Sequence, residues 1–297
     1  MSEPLDLELG GGFGLSPRDL TRLRIELAYD GTDFCGWAKQ PGLRSVQGEL
    51  EAALVLVLRL DEVRTVCAGR TDAGVHASGQ TAHLDVPPSV VDLDSSDWAD
   101  RVARRLNSVL PDDIVVKGLG VAASGFDARF SVRRRRYRYR VADQGVDPLV
   151  RGFVVQHPDP LDLDLMNQAS ALLLGEHDFA AFCREREGTS SVRTLHRFDW
   201  TRDADALVVA DLEADAFCHS MVRSLVGALL PVGDGRQDPT WPAQILAEGQ
   251  RTSAIKTAPA QGLFLSEVEY APDELLAHQA KVSRRWRGNP DENPIHP

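Results

Sequence analysis

The sequence predicts an α+β protein built from two related lobes. Three observations carry this. Short stretches alternate apolar and polar residues and end at turn residues, as strands do. Longer stretches space their apolar residues three and four apart, as helices do. The same order of strands and helices then begins again in the second half of the chain.

Residues 1–20 are acidic and then glycine-rich (GGGFG, Ser16-Pro17) and read as a disordered leader. From Arg22, LRIELAYDG alternates and ends at Asp30-Gly31, a strand running into a turn. Ser45 is placed to cap a helix over VQGELEAALVLVLRL, where Leu50, Ala53, Leu54 and Val57 recur at helical spacing. Residues 63–68 and 79–86 read as strands around a tight GRTDAG turn, 95–109 as a helix, and IVVKGLGV and RRYRYRVA as strands. In the second half, a helix at 161–174 precedes strands near 192–201 and 205–213, an apolar helix at 217–230 and a last strand at 262–270. The expected division is an N-terminal catalytic lobe over 21–147, a second lobe over 148–272 that completes the cleft, and a tail over 273–297, with the boundary near Asp147-Pro148.

Composition narrows the function classes. No stretch is long and apolar enough to span a membrane, and the start lacks the basic and apolar regions of a signal peptide, so a cytoplasmic protein is expected. Four separated cysteines without a CxxC pair argue against a zinc ribbon or a disulfide framework and read as free thiols. A net charge of −11 stands against nucleic-acid binding. Its distribution softens that objection, since residues 129–140 (RFSVRRRRYRYR) carry seven arginines and no acid.

Three stretches carry chemistry. In AGRTDAGVHASGQTAHLDV (68–86), Gly69 and Gly74 permit positive φ on either side of Asp72 and put its carboxylate at the tip of a turn. Arg70 lies two residues before it and His76 four after. Such a carboxylate suits a nucleophile or base, or equally an Asx turn that only caps its own loop. Asp72, His76, His83 and Asp85 are possible metal ligands, although they follow no zinc spacing. Strand alternation places Arg133, Arg135, Tyr137 and Tyr139 on one face and Arg134, Arg136, Arg138 and Arg140 on the other. Arginines among aromatic rings suit phosphate and an unstacked base, or simply a solvated edge strand. In FCHSMVRSLVGALLPVG (217–233), Arg223 interrupts a broad apolar helix face. It either snorkels to water or pairs with an anion, for which Asp72 is the candidate.

Nine segments together resemble the TruA-type tRNA pseudouridine synthases: YDGTDFCGW, SVQGELEAAL, GRTDAGVHA, LNSVLPDDI, FDARFS, RRYRY, GEHDFAAF, MVRSLVGALLPVG and TAPAQGLFLSEVEY, in order from Arg22 to Tyr270. The resemblance implies ferredoxin- or RRM-like halves that form one continuous, mostly antiparallel sheet with helices on its outer faces. It implies a cofactor-free, metal-free enzyme, a homodimer whose tRNA spans both subunits, that converts uridine to pseudouridine at positions 38, 39 and 40 of the anticodon stem-loop. By the same resemblance Asp72 is the catalytic aspartate, Arg70 positions the nucleotide, Tyr137 stacks on the target base and takes part in proton transfer, and Arg223 pairs with Asp72. Arg135 and His76 are further candidates for contact with the substrate. Ala38 stands where the family usually has glutamine, and Ser45 where threonine is common. Two other functions fit the residues alone: a non-catalytic RNA-binding module, and a metal-dependent hydrolase using Asp72, His76, His83 and Asp85.

Overall fold

The computed structural model describes residues 20–92, 94–185 and 189–284; the expected leader, apart from Leu20, and the end of the expected tail fall outside them. The first half runs β1 (Thr21–Tyr29), α1 (Val46–Leu58), β2 (Val66–Cys67), β3 (His76–Val86), α2 (Trp98–Asn107) and β4 (Ile114–Val121). The second runs β5 (Val132–Ala142), β6 (Val155–Gln156), α3 (Leu163–Ala171), β7 (Gly175–Asp178), β8 (Val192–Arg202), β9 (Val208–Ala214), α4 (Met221–Gly233), α5 (Trp241–Glu248) and β10 (Leu263–Tyr270), before α6 (Leu276–Arg284). The protein is α+β, with a single mostly antiparallel sheet ordered β4-β1-β3-β10-β5-β9-β8-β7.

The repeat expected from the sequence is visible in that order. β4-β1-β3-β2 in the first half has its counterpart in β10-β5-β9-β8 in the second, the arrangement of a β-α-β-β-α-β unit in each. By this count β5 opens the second unit, ahead of Asp147-Pro148. The two units meet where β3 and β10 run parallel, with Phe264 opposite His76 and Leu265 opposite Ala77. β2 pairs only with the far end of the same β3 edge, at Ala82 and His83.

Local chemistry explains the elements. Ser45 caps α1 as expected, its hydroxyl accepting from the Gly48 N–H at 3.2 Å, a contact of about 1 kcal/mol. Leu23, Ile25, Leu27 and Tyr29 are buried at every second position of β1, and α1 to α5 place their buried residues in the same core as that face and as Tyr137 and Tyr139. A fully buried leucine such as Leu50 or Leu54 adds roughly 1.5–3 kcal/mol.

Four elements escape the sequence pattern, the two-residue β6 among them. β7 reads GEHD, with no apolar alternation, and forms because β8 offers it an edge. α5 is only eight residues long and starts with Trp-Pro. α6 buries only Leu276 and Ala280, Leu276 in a small cluster with Phe126, Ala128 and Ala271, in a stretch that reads as tail.

The chain has four tyrosines, Tyr29, Tyr137, Tyr139 and Tyr270. Burial, before any other cause, raises the pKa of each. Below about pH 10 the phenols are neutral in the folded and unfolded chain alike, so they leave stability unaffected there. Above it the unfolded chain ionises first, and stability falls as pH rises. An absorbance titration should show no tyrosinate until alkaline unfolding, and then all four together. A phenol titrating near 10 in the folded protein would contradict the burial.

Candidate active site

The sequence GRTDAG forms the loop between β2 and β3, and contacts with its backbone fix it from several sides. Trp37 N–H donates to the Thr71 carbonyl at 3.1 Å, Gly74 N–H to the Phe34 carbonyl at 3.3 Å, and Val75 N–H to the Asp72 carbonyl at 3.2 Å. Tyr29 and Thr71 share a hydrogen bond between hydroxyls at 2.8 Å, and the Gln80 amide donates to the Gly69 carbonyl at 2.8 Å. Gly74 has the expected positive φ, 76°. Gly69 does not. The second left-handed glycine serving the loop is Gly36, with φ 109°, where a Cβ would lie 2.7 Å from the Thr71 carbonyl oxygen. Nothing local to GRTDAG reveals that contact.

Asp72 points into a cleft of about 410 Å³, within the range of small-ligand sites. Its partners come from the start of α4. Ser220 Oγ donates to Oδ2 at 3.2 Å. Arg223 Nη1 lies 3.6 Å from the same oxygen, and His219 Nε2 lies 3.4 Å from Oδ1. Arg223 also donates from Nε to the Ala258 carbonyl at 2.7 Å, which ties the guanidinium to a second segment. The expected pairing of Arg223 with Asp72 is thus in place. His219 and Ser220 were not singled out in the sequence, because only the fold brings them 148 residues along the chain to Asp72.

Tyr137 lies on β5 between Leu265 and Leu212, lines the cleft and packs edge-on against Phe217 with ring centroids 5.0 Å apart. Burial first, and then the nearby Asp72 charge, raise its pKa, so the group stands as a neutral phenol. A phenol of that kind supplies a ring face and an O–H, and is a poor proton acceptor.

The other candidates are placed differently. Arg70 is exposed and lines the cleft. Arg135 also lines it, but its guanidinium donates to the carbonyls of Ala68, Asp215 and Arg129 at 2.7–3.0 Å. That makes it a brace joining the Asp72 loop to the segment before α4. His76 is 1% exposed and does not line the cleft; Gly31 N–H donates to its Nδ1 at 3.0 Å, and its Nε2 faces the Gln261 carbonyl. The proposed metal set is dispersed as well. His83 Nδ1 accepts from Ala128 N–H, and Asp85 is held by Arg22.

Two further expectations change. Most of the arginine strip does not face the cleft. Arg134 and Arg136 pair with Glu213 at 2.6 Å, Arg136 also with Glu267 and Glu269, and Arg138 with Asp211. The cleft takes its charge instead from Arg70, Arg129, Arg135, Arg184, Arg193 and Arg223, with Asp72 the only carboxylate lining it among the described residues. Cys183 and Cys218, expected as free thiols, form a disulfide with Cα atoms 5.7 Å apart that ties the segment after β7 to the one before α4. Spacing could not show this, since 35 residues separate them. Cys35 and Cys67 remain free.

Comparisons with known proteins give the family of the chain. A family model described as tRNA pseudouridine synthase matches residues 169–271. The tRNA pseudouridine synthase A of Frankia casuarinae is 54% identical over 270 residues, covering 90% of this chain and 96% of the relative. That of Streptomyces griseus is 50% identical, covering 91% and 95%, and that of Mycobacterium leprae 47%, covering 90% and 96%. The chain belongs to the tRNA pseudouridine synthase A family. A distant likeness, 12% identical with a TM-score of 0.30, links 70% of this chain to 44% of a chain in the crystal structure of an archaeal box H/ACA sRNP Nop10-Cbf5 complex.

Alkylation of the denatured protein measures the disulfide directly. Without reductant two thiols, Cys35 and Cys67, should react, and after reduction four. Four reactive thiols before reduction would return Cys183 and Cys218 to the free state.

Proposed function

We propose that this protein isomerises uridine to pseudouridine in tRNA, within the anticodon stem-loop, with Asp72 as the reacting carboxylate. One observation carries the reading: Asp72, the only carboxylate lining the cleft among the described residues, is held by Ser220 and Arg223 at the start of α4, and six arginines and a buried tyrosine line the same cleft.

The chemistry follows from that arrangement. A paired uridine is inaccessible, so the nucleotide must leave its stack, at a cost of a few kcal/mol. Guanidinium groups at the cleft offset this by binding the flanking phosphates, and the Tyr137 ring offers the extruded uracil a face. Asp72 then either attacks ribose C1′, forming an ester bond that C5 displaces again, or takes the proton from C2′ and returns it when C5 adds to C1′. On either route the C1′–N1 bond breaks, the uracil turns, a C1′–C5 bond forms, the C5 proton departs and N1 gains one. Because Tyr137 stands as a phenol, the C5 proton passes to water or to the Asp72 carboxylate. Family membership and the sequence resemblance support a cytoplasmic homodimer sharing one tRNA.

Release of tritium from tRNA carrying 5-labelled uridine tests the role of Asp72. Asp72→Asn should lower release by more than about a thousandfold while tRNA binding persists. Release by the unaltered protein should resist EDTA. Turnover by D72N would sink the assignment, and EDTA sensitivity would favour the hydrolase.

The salt dependence of tRNA affinity tests which arginines meet RNA. Arg70→Ala and Arg129→Ala should each reduce the slope of log K against log salt by about one. Arg138→Ala, which removes a guanidinium paired with Asp211, should leave it unchanged. The opposite pattern would place the RNA on the outer face of the sheet.

A further inference from the structure

Ser220 occupies the N-cap position of α4 in a conformation that N-cap residues do not normally take. Its φ is 64° and ψ 6°, and its side chain makes no capping hydrogen bond. A capping serine is ordinarily extended and accepts from the second or third helical N–H. Among the described residues, only Arg59 and Ala206 are other non-glycines with positive φ. Arg59 closes α1, and Ala206 sits in the turn between β8 and β9, both usual places for a left-handed residue. Ser220 has no such reason, and it faces the cleft.

Strained backbone persists where its surroundings over-determine it, and it gathers at active sites. The turn holding Ser220 is fixed at every residue. Phe217 packs against Tyr137, and Cys218 is bonded to Cys183. The Cys218 carbonyl accepts from Met221 N–H at 3.0 Å, the His219 carbonyl from Arg184 N–H at 2.9 Å, and the Ser220 carbonyl from Ser224 N–H at 2.9 Å. The left-handed turn aims the hydroxyl away from its own helix and at Asp72 Oδ2.

We infer that Ser220 is a positioning residue for the Asp72 carboxylate. Its hydroxyl donates to Oδ2, the oxygen that Arg223 also approaches, so that rotation about the carboxylate is blocked and Oδ1, on the His219 side, is presented to the ribose. This rests on the reading of Asp72 as the reacting group.

Two substitutions separate hydroxyl from backbone. Ser220→Ala keeps the unfavourable φ and removes the donor, whereas Ser220→Gly removes the donor and relieves the backbone. With tRNA in single-turnover and steady-state assays, both should lower kcat about tenfold and leave KM for tRNA within about twofold, as expected for a lost hydrogen bond to a charged reacting group. The Tm of the glycine variant should exceed that of the alanine variant. A kcat for S220A within twofold of the unaltered protein overturns the inference. So does a fully active S220G beside an impaired S220A, which would assign the effect to backbone conformation, and so does a loss confined to KM. D72N in the same assays keeps the two failures apart. An active D72N removes the reading of Asp72, whereas an inactive D72N beside a fully active S220A removes only the role of Ser220.

Discussion

The division of one strand edge organises this molecule. β3 gives one edge to β1 and splits the other between β2, at Ala82–His83, and β10, at His76–Ala77. Strands in a sheet lie about 4.8 Å apart, so two strands cannot occupy the same stretch of edge. Only because β2 stops after two residues can the second unit dock against the first. The chain leaving β2 must then cross to the start of β3 at that seam, and Asp72 lies on the crossing. The first unit thus supplies the carboxylate, and the second supplies Ser220 and Arg223. Neither unit alone contains the site.

The braces around the Asp72 loop are neutral where charge would do harm. Arg135 is a half-buried cation, and a cation withdrawn from water without partners is destabilising. A carboxylate could satisfy it, but a second acid in the cleft would repel the first and compete for its arginines. Three backbone carbonyls serve instead, each oriented by the loop or strand that carries it. Leaving those carbonyls without a donor would cost about 1–3 kcal/mol apiece. The same contacts that neutralise Arg135 therefore hold the loop and leave Asp72 without an acidic competitor.

The features legible in the sequence are those whose signal is local. Alternation located β1, β4, β8 and β10 within a few residues, Ser45 marked its cap, and the glycine-containing turn marked Asp72. Arg223 was legible because a cation on an apolar helix face demands an anion. What escaped depends on pairing at a distance. β7 has no pattern of its own and exists through β8. Gly36 supports Thr71 from 35 positions earlier in the chain, a contact that no turn rule describes. Ser220 falls inside the helix expected at 217–230, and its place at the N-cap of α4 with a left-handed backbone becomes visible only once the disulfide and the Arg184 contact are in place.

Charge follows the same division between local and distant effects. RRRRYRYR reads as one basic strip, yet a strand sends alternate residues to opposite faces. Arg134, Arg136 and Arg138 meet Glu213, Glu269, Glu267 and Asp211, their neighbours on β9 and β10 in the strand register, and become a cross-strand ladder of three cations and four anions. Arg135 and Tyr137, one step out of phase, face the cleft. Screening confines a charge's influence to about 8–10 Å at physiological ionic strength. Acids consumed by the ladder on one face therefore weaken the field on the other only slightly. A net charge of −11 and an arginine-lined cleft are compatible because, among the described residues, Asp72 is the only carboxylate that lines the cleft.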